Sequence, residues 1–208
     1  MKIKNIILDL GGVLLNLNYQ LTIDAFTNLG IEDFQSLYTQ ANQSDLFNLL
    51  EKGKISSDEF IKRVKGYLPN TTTDKEIIDA WNAMLLDLPK ERLDFLLELK
   101  SNYPTVLLSN TNTIHLDFFH NQLNSVYGEK SLAPFFKEVY FSCDMGMRKP
   151  DSEIFEALCK KEGFKPEETL FIDDSIQHVE GASSIGIQAH HLDVKNDNVI
   201  RLVRSLLA

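Results

Sequence analysis

Short, almost unbroken apolar runs that end in polar residues recur along this chain, and they restrict its fold more than any other feature. Residues 3–10 carry Ile3, Ile6, Ile7 and Leu8 ahead of Asp9 and stop at Gly11-Gly12. The pattern returns at residues 105–109, 138–142, 169–173 and, more weakly, 187–192. Runs of this length without strict alternation read as strands buried on both faces, as in parallel sheets. Helical spacing fills residues 89–100, where Pro89 suits a first turn, and residues 151–161, 177–185 and 196–207. Strand alternating with helix predicts an open α/β sheet.

From residue 17 to 86 the strand-like runs vanish and helix punctuation takes over. Ser56-x-x-Glu59 and Thr73-x-x-Glu76 match capping boxes, and Gly30 and Gly53 follow periodic apolar stretches as helix-ending glycines. About four helices fit in such a span. The predicted organisation is an α/β core from residues 1–16 and 87–208, with an all-helical insertion, residues 17–86, packed on the sheet's catalytic edge.

A chain of 208 residues with 43% apolar side chains has enough material for a real core. Its net charge of -9, 30 acidic against 21 basic residues, leaves no basic stripe for a nucleic-acid backbone. A small anion remains compatible, because one lysine and a few amides suffice to hold a phosphate. Two cysteines, Cys143 and Cys159, make no disulfide framework. There is no basic leader with a cleavage site, and no apolar run reaches the roughly 18–20 residues that span a bilayer, so a cytoplasmic protein without membrane attachment is expected.

In open α/β sheets ligands bind beyond the carboxyl ends of the strands. Four polar sets should converge there: Asp9, Ser109-Asn110, Lys149-Pro150 and Asp173-Asp174. Any one alone is as well explained by a turn, a helix cap or a surface lysine. Together they fit phosphoryl transfer, in which an attacking carboxylate needs a cation to offset its repulsion by a phosphate dianion. Asp9, Asp173 and Asp174 offer hard oxygen ligands for Mg²⁺, while Ser109, Asn110 and Lys149 offer donors to phosphate. Gly146 and Pro150 flank Lys149 as a device for aiming it inward, with Pro150 opening a helix. Arg148 is expected to be structural or solvent-facing.

These residues resemble the haloacid dehalogenase superfamily of aspartyl-phosphate phosphatases. Four motifs stand in order: Asp9-Leu10-Gly11-Gly12-Val13, Leu108-Ser109-Asn110-Thr111-Asn112, Gly146-Met147-Arg148-Lys149-Pro150 and Phe171-Ile172-Asp173-Asp174-Ser175. The resemblance covers nearly the whole chain. It implies a Rossmann-like open parallel sheet with helices on both faces and a C1-type helical cap. Within the family the motifs are most similar to the bacterial sugar-phosphatase branch that includes α-D-glucose-1-phosphate phosphatase. The resemblance further implies Asp9 as nucleophile and Ser109 and Lys149 as partners of phosphate and nucleophile. Around Mg²⁺ it implies Asp9, Asp174, Asp173 and the carbonyl of Gly11.

One departure matters. Relatives in this superfamily usually carry a second Asp two residues after the nucleophile, as proton donor to the leaving alcohol; here that residue is Gly11. General acid-base help is worth about 10²–10⁴-fold, so its loss biases the chemistry toward groups that leave readily. The expected substrate is therefore a small sugar phosphate such as a hexose 1-phosphate. His115 is the candidate substitute proton carrier; His120, His178 and His190-His191 form no metal set. Two other readings compete: a catalytically weak phosphometabolite-binding or regulatory protein, and a metal-independent 2-haloacid dehalogenase, against which the Asp173-Asp174 pair argues.

Overall fold

The computed structural model describes residues 2–31 and 45–208. Five strands form one parallel sheet in the order β3-β2-β1-β4-β5. They are β1 (Asn5–Leu8), β2 (Thr105–Ser109), β3 (Glu138–Phe141), β4 (Thr169–Asp173) and β5 (Gln188–His191). β1 lies at the centre, pairing Leu8 with Leu107 on one side and with Ile172 on the other. The chain builds outward through β2 and β3, then crosses back to place β4 on the opposite flank of β1. This reversal of strand order opens a crevice beyond the end of β1, directly after which comes Asp9.

The pleat divides the core. Ile6 and Leu8 face α5 (Lys90–Asn102), α6 (Thr113–Tyr127) and α10 (Val199–Leu207), in a cluster holding Leu96, Phe119, Leu123 and Val203. Ile7, Val106, Leu108 and Phe171 face α8 (Ser152–Glu162) and α9 (Ile176–Ser183), with Phe155, Leu158 and Ala182. Ile6, Ile7 and Leu8 are completely buried. At about 1.5–3 kcal/mol for each fully buried aliphatic side chain, this two-sided burial fixes β1 in the middle of the sheet.

The chain leaves β1 through a tight turn at Leu10–Leu15, and an antiparallel bridge pairs Leu17 with Leu85. Asn16 and Asp87 meet there through a backbone bond of 2.9 Å. Between these crossings lie α1 (Tyr19–Asn28), α2 (Leu46–Glu51), α3 (Ser57–Lys65) and α4 (Asp74–Asn82) among the described residues. Asn18 caps α1, and Ser56 caps α3 through the Glu59 amide. Thr73 and Glu76 form the reciprocal capping box of α4. Gly30 and Gly53 follow α1 and α2 with positive φ, as helix-ending glycines do. These helices share their own apolar cluster around Phe26, Phe60 and Ile77, into which Ile114 of α6 also inserts.

Three expectations change. α6, a helix of 15 residues capped by Asn112 and closed by Gly128, was absent from the sequence reading, because Ile114, Leu116 and Phe118 alternate like a strand before helical spacing takes over. Pro150 does not open α8: that helix begins at Ser152, with Asp151 as its N-cap. Ser142 does not end β3 but begins the one-turn helix α7 (Ser142–Met145). No helix of the described residues is long and apolar enough to cross a membrane.

Candidate active site

Asp9 and Asp173 follow or end neighbouring strands β1 and β4, so their carboxylates emerge side by side at the crevice. Between them stands Lys149, completely buried. Its Nζ donates to Asp9 Oδ1 at 2.6 Å, to Asp173 Oδ2 at 2.6 Å and to the Leu108 carbonyl at 3.0 Å. An ammonium has three protons, and each has an acceptor. Burial alone would pull the Lys149 pKa down, but the charges and hydrogen bonds of Asp9 and Asp173 outweigh it, and the pKa is raised. The lysine therefore stays charged.

Asn110 aims that lysine. Its Nδ2 donates to the Lys149 carbonyl and its Oδ1 accepts from the Lys149 amide, both at 2.9 Å, so the side-chain amide clamps both backbone polar groups of Lys149. Ser109 ends β2 and is nearly buried; its hydroxyl has one long contact of 3.5 Å to the Asn110 carbonyl. The next turn is locked by Ser142, whose Oγ accepts from the Thr111 amide and donates to its carbonyl.

Asp9, Asp173 and Asp174 bring carboxylate oxygens within 4.8 Å of one another. Burial raises the Asp9 pKa to about 7; Lys149 opposes the rise, while Asp173 and Asp174 add to it. Asp173 is also buried, but Lys149 and His178 overcome this and hold it down at about 2. Asp174 is half-buried, and its pKa is raised by burial and by its negative neighbour Asp173. Gly11 and Gly12 turn the chain beside this cluster. Gly12 has φ +73°, and a β-carbon on it would overlap the Asp174 carboxylate.

Sequence reasoning missed several residues of the site. His178 Nδ1 lies 2.9 Å from Asp173 Oδ1, and the Ser175 amide donates to the same oxygen at 2.8 Å. The signal was a histidine in the first turn of the helix that follows the Asp pair. Tyr19, at the start of α1, stands in the field of the cluster: desolvation of its phenol, with the charges of Asp174, Asp9, Glu51 and Asp173 adding to it, pushes it up to about 12. Arg148 takes the structural one of its two expected roles, pairing with Glu51 of α2 at 2.8 Å. Burial, only partly offset by Arg148, raises the Glu51 pKa.

His115 does not meet its expected role. Its ring stacks on Trp81 at 5.1 Å and bonds to Asn82 Oδ1 at 2.8 Å. Burial lowers its pKa to about 3. A neutral ring in a packed seam holds no proton to donate near pH 7. Phe26, Phe47, Trp81 and Asn82 serve packing of the helical segment, and Asn16 and Asn18 serve the crossing and a cap.

The parallel sheet thus carries a buried carboxylate–lysine–carboxylate bridge at its topological switch point. The chain belongs to the haloacid dehalogenase-like hydrolase family, whose model matches residues 3–186. It is 32% identical over 186 residues to a D-ribitol-5-phosphate phosphatase of Bacteroides thetaiotaomicron, covering 89% of this chain and 90% of that protein. A HAD family enzyme of the same organism, solved in complex with magnesium and inorganic phosphate, superposes with a TM-score of 0.84 at 35% identity, over 94% of this chain and 96% of the other. A HAD-like hydrolase of Porphyromonas gingivalis gives a TM-score of 0.88 at 35% identity, over 100% and 98%.

Proposed function

We propose that this protein is a magnesium-dependent phosphatase of small sugar or polyol phosphates that works by phosphorylating Asp9. The observation that carries the reading is the bridge from Asp9 through Lys149 to Asp173, beside the half-buried carboxylate of Asp174. Three carboxylates face one ammonium, and burial, with the charges of Asp173 and Asp174 adding to it against Lys149, pushes Asp9 up to about 7. A hard dication offsets the negative charge left over, and the donors present are hard oxygens. Asp9, Asp174, Asp173 and the Gly11 carbonyl would hold it. When bound, Mg²⁺ offsets the repulsion between the phosphate dianion and the carboxylate. The relative crystallised with magnesium and inorganic phosphate supports magnesium as the cation.

Lys149 fixes Asp9 Oδ1 and so orients the carboxylate for in-line attack. A bond forms between Asp9 oxygen and phosphorus as the bond to the substrate oxygen breaks, and the alcohol leaves with a proton from solvent. Ser109 donates to a nonbridging oxygen, and the Lys149 ammonium offsets the charge on the phosphate. Asn110 acts on Lys149 through the backbone N–H and carbonyl that it clamps. Water then attacks phosphorus and releases Asp9 with inorganic phosphate.

Of residues 17–86, the described helices α1–α4 serve as a C1-type cap over this site, hinged at the paired crossings at Leu17 and Leu85. Enclosure by the cap excludes water and selects the leaving group. Two leaving groups have support. Gly11 in place of an acid favours a hexose 1-phosphate, whose anomeric oxygen departs readily, as in the glucose-1-phosphate phosphatase branch. The ribitol-5-phosphate phosphatase relative favours a polyol 5-phosphate.

The test is phosphate release from ribitol 5-phosphate, glucose 1-phosphate and glucose 6-phosphate, with and without Mg²⁺. Asp9→Asn is the control. Full activity in Asp9→Asn would end the aspartyl-phosphate mechanism. A clear preference for glucose 6-phosphate over glucose 1-phosphate would end the role assigned to Gly11.

A further inference from the structure

The loop that carries Lys149 is fastened to the helical segment by a group of polar contacts. Arg148 Nε lies 2.8 Å from Glu51 Oε2, and Arg148 Nη1 donates to Asn48 Oδ1. Three residues along the same loop, Asp151 Oδ2 accepts from Lys52 Nζ at 2.9 Å. Asn48 and Glu51 lie on α2, and Lys52 is its C-cap. Just beyond, a β-carbon on Gly53 would overlap the Cys143 carbonyl, so the end of α2 rests on the backbone of α7. On the core side the loop is tied to the carboxylate cluster through Lys149 and Asn110. A displacement of α2 therefore pulls on Arg148, one peptide from Lys149.

The two sides of this seam are bonded differently. Glu51 Oε2 and Arg148 Nε are buried and close, yet make no aligned hydrogen bond. The Lys52 and Asp151 side chains are 33% and 49% exposed, and screened pairs of that kind contribute little. On the other side, Ile114 of α6 is buried in the apolar cluster of the helical segment, and Trp81 stacks on His115 at an interplanar angle of 10°. Separating that side would expose apolar surface to water, whereas the ion pairs on the α2 side can exchange for hydration. α6 is the fixed edge of the seam and α2 the releasable one.

We propose that Arg148 is a positioning residue that seats α2 over the carboxylate cluster, holding Glu51 and Asn48 while the leaving group is enclosed. This rests on the reading of the protein as a phosphatase whose helical segment covers its site. A polyhydroxylated leaving group needs that enclosure; a small activated phosphate does not. Arg148 thus governs discrimination between the two rather than the attack by Asp9.

The experiment compares Arg148→Met and Arg148→Lys with wild type at saturating Mg²⁺. Substrates are acetyl phosphate and the sugar or polyol phosphate that wild type turns over best, and hydrogen exchange is followed in residues 45–54. For Arg148→Met, kcat/KM on the sugar or polyol phosphate should fall about 10-fold or more, mainly through KM, with acetyl phosphate changed less than about 2-fold. Exchange in residues 45–54 should quicken while that of β1 and β4 stays as in wild type. Arg148→Lys, which keeps the charge but not the fork, should recover part of the loss. Equal losses on both substrates, or unchanged exchange, would overturn the proposal. If wild type hydrolyses no phosphate ester, the phosphatase reading fails, and the exchange result still decides the latch. Should Arg148→Met not fold, Glu51→Gln, which removes the charge that Arg148 meets on α2, gives the same exchange comparison: faster exchange supports the proposal, and unchanged exchange overturns it.

Discussion

Gly12 lies so close to Asp174 that a β-carbon on the glycine would overlap the Oδ2 and Cγ of the carboxylate, and its φ of +73° suits glycine alone. The turn after the proposed nucleophile and the proposed metal ligand from β4 are thus built as one contact. Gly12→Ala should cost about 1–2 kcal/mol from the left-handed backbone and displace Asp174. Loss of such support typically lowers metal affinity by about 10–100-fold. Magnesium titration of phosphate release, with urea unfolding of the metal-free protein, checks both effects.

Removing the central ammonium should be worse for stability than removing both of the charges it joins to Asp173. Lys149→Met leaves buried Asp9 and Asp173 facing each other, and breaking a buried pair from one side typically costs about 3–5 kcal/mol. Lys149→Met/Asp173→Asn should regain much of that stability and none of the turnover. Thermal unfolding of the two variants, alongside phosphate release, separates structural from catalytic loss.

Asp9 gives stability a defined pH dependence. Its folded pKa of about 7 lies above the ordinary value of 3.8, chiefly through burial. In the window between those values the folded protein binds the proton that the unfolded chain releases, so this group's contribution to stability declines as pH rises through about 4 to 7 and does not recover above. Asp9→Asn should remove that slope in metal-free protein. Added Mg²⁺ should stabilise wild type most at and above the upper end of the window. Urea midpoints across the window, in chelator and then in Mg²⁺, test this; parallel curves for wild type and Asp9→Asn would show that Asp9 titrates normally.

Gly11 can be given the acid it lacks. Its β-carbon would meet Leu17 Cδ1 at 2.9 Å, the end of a side chain that can rotate away. Gly11→Asp, paired with Leu17→Ala to open the space, should raise turnover of glucose 6-phosphate relative to glucose 1-phosphate. The ceiling is the roughly 10²–10⁴-fold that general acid catalysis provides. The ratio of the two rates in the double variant against Leu17→Ala alone is the measurement.

Local pattern carried far in this chain. The runs at Thr105–Ser109 and Thr169–Asp173 are strands with those bounds, since burial on both faces leaves a continuous apolar signature. The Thr73 capping box formed as read, because both of its partners are three residues apart. α6 begins with strand-like alternation at Ile114, Leu116 and Phe118 because its buried face is shared between two clusters, Ile114 with the helical segment and Leu116, Phe119 and Leu123 with the sheet. No single helical stripe records two neighbours.

The sequence by itself determined the parallel α/β class and which polar residues end the strands, since strand burial and strand ends are local properties of the chain. Tertiary structure alone decided what those residues do to one another. Lys149 is 140 positions from Asp9 and 24 from Asp173, and only the neighbouring of β1 and β4 brings both carboxylates to one ammonium. It also keeps the His115 ring uncharged by burying it against Trp81, and decided between a structural and a solvent-facing Arg148 by giving it Glu51 as partner. Charge, burial and hydrogen bonding act through distance in space, and spacing along the chain does not encode that distance.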